Sequence, residues 1–164
     1  MVSIGETAPD FTLPKAGGTA YDDISEVTLS RLLGDGPIVL AFFPAAFTRG
    51  CTSEMCAFSD SIDKFENLNT KVYGISVDLP FAQNIWIERE GLNFPMLSDW
   101  DHEVIHQYDV VRSDLYESIE AARRSVFVVD VDRIVTAKWT RSGDNPDFTV
   151  LTQGVLEQVS DTTG

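Results

Sequence analysis

At 164 residues with 43% apolar content, the chain suits one globular domain, residues 1–164, with a sizeable core. Its net charge of −14, from 26 acidic and 12 basic residues, argues against a nucleic-acid partner, which needs a basic stripe. No apolar run approaches the ~20 residues that span a bilayer. Nor does a basic start lead into an apolar stretch, as in a secretory signal, so a cytoplasmic protein with no membrane partner is expected.

The acidic residues (Asp22, Asp23, Asp99, Asp101, Asp130, Asp132, Asp144 and Asp147 among them) are scattered and form no tail. Lysine occurs only at Lys15, Lys64, Lys71 and Lys138. A dispersed acidic surface keeps a protein soluble, and both a salt-rich cytosol and an ordinary acidic protein fit it. The two cysteines are Cys51 and Cys56. A reducing cytosol disfavours a permanent structural staple. Catalysis, redox chemistry, metal binding or simple burial are left.

Residues 1–20 read as an irregular start with a short strand near 10–13. Residues 27–33 read as a short helix, ended by Gly34-Asp35-Gly36-Pro37. The apolar run 38–43 is a buried strand. Over 51–68 the apolar positions Met55, Phe58, Ile62, Phe65 and Leu68 recur in steps of three or four, the pattern of an amphipathic helix. A strand over 72–77 follows, then a helix over 81–90 ended by Gly91. A short strand over 94–97 and a short helix over 101–108 come next. Strands over 125–131 and 134–139 flank the turn Asp132-Arg133 as a hairpin. A closing helix over 148–159 begins just after Pro146. No repeat, low-complexity tract or long linker divides the chain.

Strands alternating with helices imply an α/β fold: a mostly parallel sheet with helices on both faces, and the terminal hairpin as an antiparallel edge. Ligands in such sheets bind beyond the carboxyl ends of the strands. Cys51 lies there. The stretch Phe42-Phe43-Pro44-Ala45-Ala46-Phe47-Thr48-Arg49-Gly50-Cys51 leaves a buried strand at a proline and delivers a cysteine to a helix start. Cysteine reacts as the thiolate, which a helix N-terminus and a neighbouring Arg49 stabilise.

A thiolate can attack a peroxide oxygen and become a sulfenic acid, with which a second thiol condenses to a disulfide. Cys56 is the one candidate for that second thiol. Five residues of helix give a rise of ~7.5 Å and a turn of ~140°, so the two Cα atoms stand about 8.5 Å apart. A disulfide needs roughly 4.4–6.8 Å. Either the first turns of the helix unwind after oxidation, which is our expectation, or Cys56 does not resolve Cys51. As the plainer alternative, Cys56 is a small buried hydrophobe.

Other cysteine chemistries fit less well. Cys51, Cys56, His102 and His106 have the spacings C-x4-C and H-x3-H, but a zinc-finger loop runs about 12–15 residues and here a strand and a helix intervene. A Cys–His hydrolase needs a base beside the sulfur, and nothing in the sequence puts either histidine there. A thioredoxin-type oxidoreductase would carry C-x-x-C.

Pro44-x-x-x-Thr48-x-x-Cys51 resembles the active-site motif of the peroxiredoxins. The resemblance covers nearly the whole chain. Gly5-Glu6-Thr7-Ala8-Pro9-Asp10-Phe11-Thr12-Leu13 is similar to that family's opening, and Phe94-Pro95-Met96-Leu97-Ser98-Asp99 to its mid-chain strand. Arg124-Ser125-Val126-Phe127-Val128-Val129-Asp130 is similar to the strand led by its active-site arginine. A second cysteine five residues on resembles the bacterioferritin-comigratory (Q-type) branch, and the wording around Pro44 to Thr48 the alkyl hydroperoxide reductase E branch.

The resemblance implies a thioredoxin-like fold with a central mixed sheet flanked by helices. It implies thiol-dependent reduction of hydrogen peroxide or organic hydroperoxides without metal, haem or other cofactor. It implies a thioredoxin- or glutaredoxin-like reductant and a homodimer or larger assembly. Cys51 would be the peroxidatic nucleophile, Thr48 would hydrogen-bond peroxide and sulfur, and Pro44 would shield the sulfenic acid from water. Arg124 would hold the thiolate and polarise the peroxide, and Cys56 would resolve. Each also has a structural reading: Thr48 as a helix cap, Pro44 as a strand terminator, Arg124 (with Arg123 beside it) as a surface ion pair. Glu54 would cap the helix start or pair with a basic group, and Trp86 would pack. The run Glu120-Ala121-Ala122-Arg123 lacks the glycine expected before the arginine strand. Two other functions stay open: a peroxide sensor on the same fold, and a one-cysteine peroxidase with Cys56 structural.

Overall fold

The run Ile38–Phe42 carries no polar side chain and is buried from end to end. Such a strand needs cover on both faces, and as β3 it forms the heart of a seven-stranded sheet. In the computed structural model, which describes residues 1–17 and 20–163, the sheet order is β2-β1-β5-β4-β3-β8-β9. The strands are β1 (Thr12–Ala16), β2 (Ile24–Thr28), β4 (Lys71–Ser76), β5 (Met96–Ser98), β8 (Ser125–Val129) and β9 (Val135–Thr140). A separate two-stranded hairpin joins β6 (Val111–Tyr116) to β7 (Ile119–Ala122).

The helices are α1 (Leu29–Leu32), α2 (Arg49–Asp60), α3 (Ile62–Glu66), α4 (Pro80–Glu90), α5 (Glu103–Gln107) and α6 (Phe148–Thr163). Alternate residues along β3 and β8 sort the core into two layers. Val39, Ala41, Val126 and Val128 face Met55, Phe58, Trp86 and Val155 on the side of α2, α4 and α6. Leu40, Phe42, Phe127 and Val129 face Leu29, Ile105 and Tyr108 on the side of α1 and α5. Tyr108 meets the Phe127 ring at 5.4 Å edge-on, and its hydroxyl donates to the Pro9 carbonyl at 2.7 Å.

Helices on both faces and a central mixed sheet agree with expectation, but the sheet is not mostly parallel. Only β3–β4 and β4–β5 pair in parallel; β1–β2, β1–β5, β3–β8 and β8–β9 are antiparallel. The reason is β1: it pairs backwards on β5 rather than joining by a crossover helix. Residues 24–28 form β2 on β1, so the helix expected over 27–33 shrinks to one turn, α1. The helix expected over 51–68 breaks at Ser61, whose N–H bonds Phe58 O three residues back. The apolar period continues through that turn, which hid the break. The β6–β7 hairpin was not expected, because Arg112, Ser113, Asp114 and Glu120 interrupt its apolar residues and leave no strand-like run. Residues 18 and 19 of the expected irregular start, and residue 164, lie outside the described residues.

Gly36 sits where two backbones nearly touch: a Cβ there would collide with the main-chain oxygen of Asn69. At Gly34 a Cβ meets nothing. Gly36→Ala should therefore cost roughly 1–3 kcal/mol of stability by overpacking, while Gly34→Ala leaves it near wild type. Urea unfolding of the two variants checks this.

Candidate active site

Phe43 N–H makes the last ladder bond, to Ile75 O at 3.0 Å. Pro44 has no N–H to continue it, and the chain leaves the sheet. The loop that follows is tied down from two sides. Ala46 N–H donates to Asp78 Oδ2 at 2.8 Å, and the same oxygen accepts from Ser76 Oγ at 2.7 Å. Ser76 Oγ in turn accepts from the buried Gln83 side chain at 2.9 Å. Phe47 adopts a left-handed φ of 66° and lays its ring against Trp86, 6.2 Å between centroids. Phe43 also packs on Trp86, 5.2 Å between centroids.

Helix α2 then starts at Thr48, its N-cap. The Thr48 hydroxyl does not cap the helix; it donates to Ala45 O at 2.7 Å. Its proton is thereby committed, and its lone pairs are left to accept. Cys51 is the third residue of the helix and is 1% exposed. First-turn N–H groups and the positive helix end surround that position.

Arg124 immediately precedes β8. Because Phe42 is paired with Ser125 across the antiparallel β3–β8 ladder, the start of β8 lies at the carboxyl end of β3. Arg124 Nη2 therefore reaches Cys51 Sγ, donating at 3.4 Å. Its guanidinium also stands 5.3 Å over the Phe148 ring. Gly50 makes the approach feasible, since a Cβ there would lie 3.1 Å from Nη2 and 3.0 Å from Asn145 Nδ2. Arg123, the neighbouring candidate, is exposed.

Glu54, one turn after Cys51, is 0% exposed and lies 3.5 Å from Arg124 Nη1. That is long for a charge-assisted hydrogen bond, and neither carboxyl oxygen has a hydrogen-bond partner among the described residues. Burial raises the Glu54 pKa to about 8, with Arg124 pulling the other way. Burial thus favours the protonated carboxyl, and the neighbouring guanidinium opposes it.

Pro44, Thr48, Cys51, Glu54 and Arg124 thus converge at one end of the sheet. Cys56 does not join them. It sits in the same unbroken helix, half-buried against the core, and burial pushes its thiol pKa up, with Glu90 and Asp60 adding to the shift. Both cysteines are free thiols. His102 and His106 lie elsewhere: Nδ1 of one and Nε2 of the other each stand 2.9 Å from Glu120 Oε1. Among the described residues no three such side chains are placed to hold a metal ion.

Asp78, Phe47 and Phe148 were not singled out from the sequence. Asp78 had a signal: it follows β4 at the same carboxyl edge that carries Cys51. Phe47 and Phe148 had none, since a strained φ and a ring under a guanidinium are tertiary facts.

Residues 4–138 match the AhpC/TSA family. Alkyl hydroperoxide reductase E of Mycobacterium tuberculosis is 37% identical over 137 residues, 82% of this chain and 83% of that protein. The chloroplastic 2-cysteine peroxiredoxin of Chattonella marina var. antiqua is 33% identical over 141 residues, 82% of this chain and 68% of that one. Among solved structures, peroxidoxin BcpB of Mycobacterium tuberculosis superposes with a TM-score of 0.85 at 33% identity, covering 98% of each chain. Peroxiredoxin Q of Xanthomonas campestris, at 22% identity, shares the fold with a TM-score of 0.79 over 94% of this chain and 92% of its own.

The buried Glu54 has a signature in stability. Its native pKa of about 8 stands above the ordinary 4.5. Between those values the native state holds a proton that the unfolded state has lost, so this contribution is full at low pH and falls as pH rises through the window. Wild type should lose stability relative to Glu54→Gln as pH is raised from 5 to 8. Urea midpoints of both proteins across that range test the sign; a constant difference would refute it.

Proposed function

The chain belongs to the AhpC/TSA family and is a peroxiredoxin, a thiol-dependent peroxidase with a peroxide substrate and a thioredoxin-like reductant; on that premise we propose that Cys51 is its peroxidatic sulfur. The observation that carries this is the 3.4 Å contact from Arg124 to Cys51 Sγ at the mouth of α2. The buried guanidinium sets a fixed, planar hydrogen-bond donor beside the sulfur.

The thiolate attacks one peroxide oxygen. A sulfur–oxygen bond forms, the O–O bond breaks, and the electron pair leaves with the second oxygen, which takes a proton to become water or an alcohol. Sulfur is oxidised to the sulfenic acid. Arg124 and the first-turn N–H groups of α2 are donors fixed in place where charge builds on the departing oxygen. The Thr48 hydroxyl, its own proton committed to Ala45 O, accepts the O–H of the incoming peroxide. Pro44, buried at the strand end, excludes water from the sulfenic acid.

Cys56 then attacks the sulfenic sulfur, hydroxide leaves as water, and a disulfide forms that a thioredoxin- or glutaredoxin-like dithiol reduces. The first turns of α2 unwind for this step, which also frees Cys56 from the burial that raises its pKa. A second reading, a one-cysteine peroxidase, is favoured by the same burial and by the unbroken helix between the sulfurs. A third is a peroxide sensor, which oxidises once and does not cycle. The protein works as one domain in the cytoplasm; no helix among the described residues is long and apolar enough to cross a membrane. We also expect a homodimer or larger, which the exposed Phe47, Leu79, Phe81 and Ile85 support.

Peroxide consumption separates these readings. Cys51→Ser should fall to background; full activity there removes the premise. Cys56→Ser should cycle with dithiothreitol but not with a thioredoxin system, and wild-type behaviour with both would establish the one-cysteine enzyme. Arg124→Gln should lower the rate constant for Cys51 oxidation by roughly 10²–10³, the usual effect of losing one such donor, in stopped-flow measurements on reduced protein.

A further inference from the structure

The Arg124 guanidinium donates to Cys51 Sγ through one corner, Nη2, at 3.4 Å. Its Nε and Nη1 have no hydrogen-bond partner among the described residues, and the Glu54 carboxyl stands 3.5 Å from Nη1, long for a strong bond. Strand register fixes the backbone around Arg124, and Arg141 N–H donates to its carbonyl at 2.9 Å. Neither fixes the plane of the fork. Arginine is a long side chain with much rotamer freedom, and a planar group held at one corner can swing about that bond. A donor that must meet a reacting sulfur needs its rotamer locked by what packs on it.

Phe148 packs on its face. The guanidinium carbon stands 5.3 Å over the centroid of that ring, inside the ~6 Å reach of a cation–π contact. The ring attracts the cation without offering an oxygen that would compete with the sulfur for its N–H groups. Arg124 is 4% exposed, so the contact is made away from water, where it is strongest. The ring is itself held in place. Phe148 opens α6 directly after Pro146-Asp147, and Asp147 Oδ1 accepts from Thr149 N–H at 2.9 Å and Val150 N–H at 3.3 Å. Further along, Val155, Leu156 and Val159 bury α6 in the core layer it shares with α2. Phe148 also lies beyond residues 4–138, so the family match assigns it nothing.

We propose that Phe148 is a positioning residue: its ring fixes the plane of the Arg124 guanidinium so that Nη2 is aimed at the Cys51 sulfur. The inference rests on Cys51 being the peroxidatic sulfur. It makes the start of α6, which carries no reacting group, a determinant of the rate at that sulfur.

The test is the rate constant for loss of the Cys51 thiol when reduced protein meets hydrogen peroxide, measured by rapid quench. Loss of that thiol in wild type examines the premise by itself; if it does not occur, premise and role fall together. Phe148→Leu, which keeps an apolar side chain but not the ring, should slow the reaction about fivefold, the scale of one cation–π contact. Phe148→Tyr keeps the ring face and should restore the wild-type rate. In an Arg124→Gln background Phe148→Leu should slow it no further, since the ring then has no cation to orient. Leu156→Ala, about two turns along α6, separates the role from stability: it should lower the urea midpoint and leave the rate unchanged. A wild-type rate in Phe148→Leu, a slow Phe148→Tyr, an equal loss without Arg124, or an equal loss in Leu156→Ala would overturn the role of Phe148 and leave the peroxidase standing.

Discussion

The antiparallel register of β3 on β8 decides where the chemistry is. It sets Phe42 opposite Ser125. Two residues beyond Phe42 a proline turns one chain toward α2, and one residue before Ser125 an arginine begins the other. A guanidinium is thereby placed on a sulfur 73 residues away in sequence. A one-residue slip of β8 would send every side chain of that strand to the opposite face. The slip is prevented by the core itself: Val126 and Val128 fit only the α2–α6 layer, Phe127 and Val129 only the α1–α5 layer. Packing far from the sulfur thus guards the geometry at it.

Around that contact the fold concentrates charges that folding alone would not place there. Glu54 and Arg124 are both buried, and their separation of 3.5 Å is too long for a strong mutual bond. Burial of an ionisable pair contributes little net stability even with good geometry. Here the cost is eased by protonating the carboxyl, which burial favours. The arginine faces the sulfur and the Phe148 ring as well as that carboxyl. A site that is poor as a stabilising ion pair is well suited to hold a thiolate.

The loop before α2 and the helix itself have opposed requirements. Asp78, Ser76 and Gln83 hold the loop through Ala46, and Trp86 holds Phe47 at a left-handed φ, so the first oxidation meets a rigid frame. Resolution by Cys56 needs the opposite, because an intact helix keeps the sulfurs apart. Thr48 makes no side-chain cap, and removing a cap weakens a helix start by typically ~1 kcal/mol. The first turn of α2 is therefore lightly anchored by its own side chains, and the frame that holds it comes from the sheet and the loop.

Much of this protein was legible in its sequence. The apolar run over β3, the proline that ends it and the cysteine seven residues later are local signals, and local periodicity located most helices and strands to within a few residues. The arginine-led strand was legible through resemblance, and only the match in spacing to Phe127-Val128-Val129-Asp130 favoured Arg124 over its neighbour Arg123. Hidden were features made by contacts distant in sequence. They include the backward pairing of β1 on β5, the β6–β7 hairpin, the break at Ser61 and Asp78 under the active-site loop. A sequence displays the period and chemistry of each segment, and those determined the secondary structure and the reactive sulfur. Which arginine turns inward, and what it touches there, depends on strand register and on burial, and only the folded chain decides those.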